Sequence, residues 1–309
     1  FFQLAFDTVL HVAATMNEPY DTSSGIITGR ALMYFRRVLS EDPFKDRWDN
    51  PPYVVDTIET FGYDLAGQPI GDRVSLVWSA ALPYDDPYCD TCSGLHNNVY
   101  PGLLIGQMDN DVYYQESWDQ GESWEPRVNI TQTPIGEAAY KAYTDISAVY
   151  DGADNLHIVW PALPWPADDC IKEGGGCFAE EQLVWKGWNV DKARLMHWSQ
   201  NAPYMRPVCD HTYDPIDSCG PGKWALRVAK PSISACDGKL YTIWTQFNNQ
   251  RDGVIDDCAE WRWDQGGGGY EGFDYYPDRY SGSANGEIWL SVSADGGVTW
   301  DNQRNLSNS

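Results

Sequence analysis

The sequence predicts an all-β fold assembled from repeated antiparallel hairpins. Three observations point to it: an aromatic-rich chain broken at short intervals by Gly and Pro, a strand-like run that recurs four times, and a turn motif that recurs twice. The 309 residues contain 15 Trp, 19 Tyr and 9 Phe among 28 Gly and 19 Pro. Aromatic side chains suit the pleated surface of a strand, and Gly and Pro supply turns, so many short strands fit better than long helices. A 42% hydrophobic composition suffices for one large core or a series of small ones.

The four strand-like runs are Leu10-His11-Val12-Ala13-Ala14, Val74-Ser75-Leu76-Val77-Trp78, Leu156-His157-Ile158-Val159-Trp160 and Leu240-Tyr241-Thr242-Ile243-Trp244. The last two are each preceded by another strand and a Gly turn, Ile146 to Gly152 and Pro231 to Gly238. Recurrence of this kind marks a repeat architecture. The repeats divide the chain into units of roughly 1–52, 53–133, 134–224 and 225–309.

The turn motif is Ser-x-Asp-x-Gly-x-Ser/Thr-Trp. It occurs as Ser117, Asp119, Gly121, Ser123 and Trp124, and again as Ser293, Asp295, Gly297, Thr299 and Trp300. Each copy follows an apolar strand, Asp111 to Gln115 or Glu287 to Ser291, and precedes a short polar one, Val128 to Thr131 or Arg304 to Ser307. The residue types explain the turn: Asp accepts backbone N–H groups, Gly provides positive φ, Ser/Thr bonds locally, and the Trp ring packs beside the hairpin. In the first unit, Ser40 to Trp48 keeps a Ser, an Asp and a Trp but lacks the Gly. In the third, Met196 to Asn201 enters its turn without the motif.

These turns resemble the Asp-box (BNR repeat) of the sialidase-like β-propeller superfamily. The resemblance implies a β-propeller of four-stranded antiparallel blades, one per unit, with Asp-box turns and long loop insertions. It makes Ser117, Asp119, Gly121, Trp124, Ser293, Asp295, Gly297 and Trp300 structural rather than catalytic. Most propellers of this type have six or more blades, so four units imply either a longer chain or a compact four-bladed ring closed by pairing the N-terminal strand with the last blade. The stretch Phe35-Arg36-Arg37-Val38 only echoes the Phe-Arg-Ile-Pro signature of sialidases, on what reads as an outer strand. No Arg triad or Tyr–Glu pair can be assigned by motif, so the resemblance implies the fold and an extracellular habit without a catalytic residue.

The net charge of −24, from 45 acidic against 21 basic residues, excludes the basic face that nucleic-acid binding needs. It fits solubility in a salty or calcium-rich milieu, or an acidic docking surface. No apolar run of 18 residues is present, so no transmembrane helix is expected. The chain opens without Met, which suggests a processed or partial polypeptide.

Eight Cys are sequence neighbours in four sets: Cys89 with Cys92, Cys170 with Cys177, Cys209 with Cys219, and Cys236 with Cys258. In such a chain they read as disulfides of an oxidising compartment, local pairing being preferred among 105 connectivities. A metal or redox reading of Cys89-Asp90-Thr91-Cys92 lacks a second ligand pair.

The loops 80–107, 161–190 and 246–285 would join second and third strands on the face that carries ligands in propellers. In the last, Arg251, Trp261, Arg262, Trp263, Tyr275, Tyr276 and Arg279 combine aromatic faces with cations, as sugar stacking and carboxylate recognition require. Alternatively the aromatics form a satellite core. The pairs Asp85-Asp86, Asp168-Asp169 and Asp256-Asp257 could ligate a structural calcium ion, although none has a calcium-loop spacing, and no cofactor is required. His11 and His157 fall at equivalent strand positions and read as structural. The expectation is a secreted or cell-surface module that binds glycan or extracellular protein without catalysis. The alternatives are a sialidase-like glycoside hydrolase and an assembly component of an envelope or filament.

Overall fold

The computed structural model describes residues 9–17, 30–39, 47–56, 60, 62–81, 110–133, 139–165, 193–210, 226, 228–247, 250–251, 254–255 and 286–307. The fold is all-β, with no helix among the described residues. A first sheet holds β1 (Val9–Asn17), β2 (Arg30–Val38), β3 (Arg47–Trp48) and β4 (Tyr53–Asp56), with β3 and β4 both paired to β2. The second is β5 (Tyr63–Gly67), β6 (Val74–Ala81), β7 (Asn110–Ser117) and β8 (Val128–Asn129) in antiparallel succession.

The short β9 (Ala139–Ala142) bridges this sheet to a third. The third comprises β10 (Ser147–Tyr150), β11 (Leu156–Trp165), β12 (Arg194–Ser199) and β13 (Ala202–Asp210). The fourth comprises β14 (Val228–Cys236), β15 (Lys239–Phe247), β18 (Gly286–Ser293) and β19 (Arg304–Asn305). A two-residue pair, β16 (Gln250–Arg251) with β17 (Val254–Ile255), stands apart.

The four recurrent runs lie on β1, β6, β11 and β15, each paired antiparallel to the strand that follows the long connection. Phe35 to Val38, expected on an outer strand, lies on β2, which pairs with β1 on one side and with β3 and β4 on the other. The missing Gly motif between β2 and β3 hid that short outer partner from a sequence reading. Strand β11 also runs five residues into the predicted loop 161–190, because β9 pairs with Ala162 to Trp165 and extends the ladder there.

The sheets stack face to face, and each joint has its own apolar core. Leu32, Tyr34, Leu76 and Trp78 fill the first joint. Val77, Val112, Ile158 and Trp160 fill the second, and Val159, Leu163, Leu195 and Trp244 the third. Trp78, Trp160 and Trp244 occupy the same place in three successive runs and are all essentially inaccessible. Full burial of such rings stabilises each joint by several kcal/mol apiece on the scale of Trp truncations.

The tight turns at residues 68–73, 118–127, 151–155, 200–201, 237–238 and 294–303 all fall at one end of the stack. The chain leaves for residues 18–29, 82–109, 166–193 and 248–285 at the other.

Candidate functional site

At the turn end, the two motif turns are built alike. The Ser123 N–H and hydroxyl donate to the two Asp119 carboxylate oxygens, at 2.8 and 2.5 Å, and the Ser117 hydroxyl donates to Oδ1 at 2.8 Å. Thr299 and Ser293 treat Asp295 the same way, at 2.9, 2.6 and 2.8 Å. The Gly121 and Gly297 N–H groups donate to the Ser117 and Ser293 hydroxyls. The donors on Ser123 hold the Asp119 carboxyl at about 2. For Asp295, desolvation acts in the opposite sense, but the Thr299 and Ser293 donors prevail and its pKa is also lowered to about 2. Both carboxylates take these hydrogen bonds from donors within their own loops.

Each motif turn closes the joint to the preceding sheet. Gly121, at φ +83°, lies against the Tyr34 ring so closely that a Cβ would overlap the hydroxyl, and Gly297, at φ +84°, lies in the same way against His197. The Trp at the end of each turn stands edge-on to the same ring: Trp124 to Tyr34 at 4.8 Å between centroids, Trp300 to His197 at 5.2 Å. Behind the rings, His11 pairs through Nδ1 with the Tyr34 hydroxyl, and His157 Nδ1 with His197 Nε2 at 3.1 Å. His157 Nε2 continues the line to Asp151 Oδ2 at 3.2 Å. Burial of these imidazoles disfavours their charged forms, taking His11 down to about 4 and His197 down to about 3.

The middle joint is closed by a polar cluster. Glu116 Oε1 accepts from Arg73 Nη2 at 2.9 Å, the Tyr150 hydroxyl at 2.8 Å and Gln200 Nε2 at 2.9 Å. The Ser75 hydroxyl lies 2.6 Å from that of Tyr150, and the Arg73 guanidinium covers the Trp118 ring at 4.1 Å. Arg, Glu and Tyr side chains thus converge, the types that a glycosidase with a Tyr nucleophile would use. Burial raises the Tyr150 pKa, its first cause, and the adjacent carboxylate adds to it. A phenol held neutral in a packed joint at the turn end is a hydrogen-bond donor, and the cluster functions as a buried ion pair.

Neither the middle cluster nor His197 was singled out in the sequence. The signals were slight: Glu116 stands next to the motif Ser117, Arg73 precedes the second recurrent run, and Gln200 occupies a turn where the motif is missing.

The loop end is the candidate functional site. Its described residues include Asp56, which accepts from Trp78 Nε1 at 2.9 Å and from Arg127 at 3.1 Å. Asp111, fully buried, accepts from Asn129 and Thr133. Lys141 on β9 is also buried, and the Arg194 guanidinium lies 4.3 Å from the Tyr140 ring centre. These residues brace the places where the connections depart.

Of the predicted ligand residues, the backbone of Arg251 lies on β16. Trp261, Arg262, Trp263, Tyr275, Tyr276 and Arg279 lie outside the described residues, as do the three Asp pairs. Cys209 is buried on β13 and Cys236 is exposed at the end of β14, while Cys89, Cys92, Cys170, Cys177, Cys219 and Cys258 lie outside the description. Among the described residues no group of three His, Cys, Asp or Glu could hold a metal ion, and no helix is long and apolar enough to cross a membrane.

No protein-family model matches the chain, and no curated protein matches it in sequence. Among solved structures it is similar to a mutant of Trypanosoma rangeli sialidase displaying trans-sialidase activity, at 12% identity and a TM-score of 0.42, over 96% of this chain and 35% of that one. It is also similar to a protein of unknown function from Dyadobacter fermentans, at 13% identity and a TM-score of 0.46, over 97% and 66% of the two chains. A third is Penicillium chrysogenum α-L-arabinanase complexed with arabinobiose, at 11% and 0.43, over 96% and 63%. The chain spans 35% to 66% of the length of these structures.

Proposed function

We propose that the four sheets are blades of an Asp-box propeller that works outside the cell as a recognition module, without catalysis. The ligand is a glycan or an extracellular protein, held by the connections 82–109, 166–193 and 248–285 and pinned by local disulfides. One observation carries this reading: the long connections leave the sheets at one end, while the opposite end is sealed by tight, internally satisfied turns. Long segments held at the end of a rigid scaffold are the usual seat of binding.

In the last connection Trp261, Trp263, Tyr275 and Tyr276 supply faces for stacking on sugar rings, and Arg251, Arg262 and Arg279 meet carboxylates. The hydrolase alternative gains no support from the Arg73–Glu116–Tyr150 cluster, which is buried in a joint at the wrong end. Deleting 261–280 with a short Gly/Ser closure tests the reading. The expected result is an unchanged thermal transition and loss of binding on glycan and extracellular-protein arrays. Unfolding of the variant, or retained binding, overturns it.

A further inference from the structure

A line of four groups crosses the third joint. Asp151 in the turn before β11, His157 on β11, His197 on β12 and Gly297 in the motif turn of the fourth sheet touch in that order. Desolvation works against the Asp151 carboxylate, but donors from Asn155, His157 and Ala153 prevail and hold its pKa below the usual range, so it only accepts. His157 Nε2, 3.2 Å from Oδ2, therefore carries a hydrogen. In a neutral ring this leaves Nδ1 bare, and the hydrogen in the 3.1 Å contact between the rings belongs to His197 Nε2.

His197 Nδ1 is then bare in turn. The Gly297 backbone bonds His197 in the sense that favours a protonated ring, as a carbonyl acceptor does. Three contacts thus lie between two acceptors, and two neutral imidazoles bring only two hydrogens. The line is one proton short. In the first joint His11 meets a Tyr34 hydroxyl, which can donate or accept, so no such deficit arises there.

Burial withholds the missing proton. His157 is 0% and His197 1% exposed, and the rings are stacked 5.3 Å apart, so a charge on either would be held without water. After burial, the His157 ring and Arg206, which lies opposite His197 on β13, further disfavour charge on His197. The carboxylates of the turn do not compensate: Asp295 is taken up by Thr299 and Ser293, and Asp301 by the Val292 N–H and Arg304. The cover over His197 is the turn itself, with Gly297 against its ring and Trp300 edge-on at 5.2 Å.

We propose that the Asp151–His157–His197 line is a proton-operated latch, in which uptake of one proton at His197 opens the motif turn 294–303 and frees Trp300 while the middle joint stays closed. Opening gives the imidazole to water, where it can hold the charge that the closed joint refuses. The middle joint has no histidine in its seal, which is made by Glu116, Arg73, Tyr150 and Gln200. A water-accessible imidazole titrates near 6.5 and the covered His197 near 3, so acid favours the open turn from about pH 6.5 downward. The latch is independent of the ligand role given to the loops.

Hydrogen exchange followed by mass spectrometry, corrected for the intrinsic effect of pH on amide exchange, tests it on the unmodified chain. The opening equilibrium of 294–303, where the Gly297, Thr299 and Asp301 amides are bonded, should rise about 30-fold from about pH 7.5 to about pH 5. Strands β6 and β7 should not follow. His197→Gln, which cannot take the proton, should lose most of the rise. The first comparison lies within the unmodified chain, so it decides even if the variant does not fold. An unchanged turn overturns the proposal, as does an equal rise in β6 and β7, which would mean opening of the whole stack, or a folded His197→Gln chain that keeps the full rise.

Discussion

The outer joints and the middle joint solve one geometric problem by different chemistry. In the outer joints a Gly turn is pressed onto a buried ring, Gly121 on Tyr34 and Gly297 on His197, and the close approach depends on the absence of a Cβ. In the middle joint the third unit has only Gln200 and Asn201 between its strands. Gln200 reaches Glu116, and Arg73 and Tyr150 complete the seal. The difference teaches that the motif is one means of closing a joint rather than a requirement of the sheet, since β12 and β13 pair without it.

The largest way to break the contrast is at the glycines. Gly297→Ala should destabilise by about 4 kcal/mol, from combined left-handed backbone strain and overpacking against His197, and Gly121→Ala should do the same against Tyr34. The neighbouring Gly296, also at positive φ (+72°), has its nearest contact at 3.8 Å from Asn201. Gly296→Ala should therefore lose only about 1 kcal/mol by strain alone. Chemical denaturation of the three variants measures the difference. Equal losses at 296 and 297 would show that the turn's backbone, and not its approach to the ring, is what matters.

The middle joint should break by charge instead. Glu116→Ala strands Arg73, whose side chain is 12% exposed, and leaves Tyr150 and Gln200 short of an acceptor. The expected loss is about 3 kcal/mol by urea unfolding, in the range found when one partner of a buried pair is removed. Glu116→Ala combined with Arg73→Met should recover part of it, because the unpaired cation is gone. A double variant no better than the single would mean that the tyrosine and glutamine contacts dominate.

The smallest effect separates the joints by pH. His11 and His197 are held neutral in the fold, with pKa values near 4 and 3, while an exposed imidazole titrates near 6.5. The unfolded chain thus binds protons below about pH 6.5 that the folded chain refuses. Stability falls as pH drops from there toward the folded values. A His197→Gln variant should show a shallower decline in thermal midpoint between neutral and mildly acid pH than the parent chain. An unchanged slope would remove His197 as its source.

Much of this architecture was legible in the sequence because it rests on local chemistry. The recurrent runs repeat a short, mainly apolar pattern, and the Ser-x-Asp-x-Gly turns satisfy their own hydrogen bonds within a few residues, so both could be read without a partner. The predicted order of strands from Pro231 to Ser307 is the order found in the fourth sheet. The ligand residues 251–279 were chosen on composition alone, which identifies stacking and charge but not their placement.

What only the tertiary structure decided was how the units meet. No local signal says that Gln200 stands in for a glycine turn or that Glu116 bonds a residue 84 positions away. Those relations arise from face-to-face packing, in which a side chain's partner is set by sheet register and by the cavity left next to it. The sequence by itself therefore determined the strands and their turns. Packing decided which buried rings, ions and glycines close each joint.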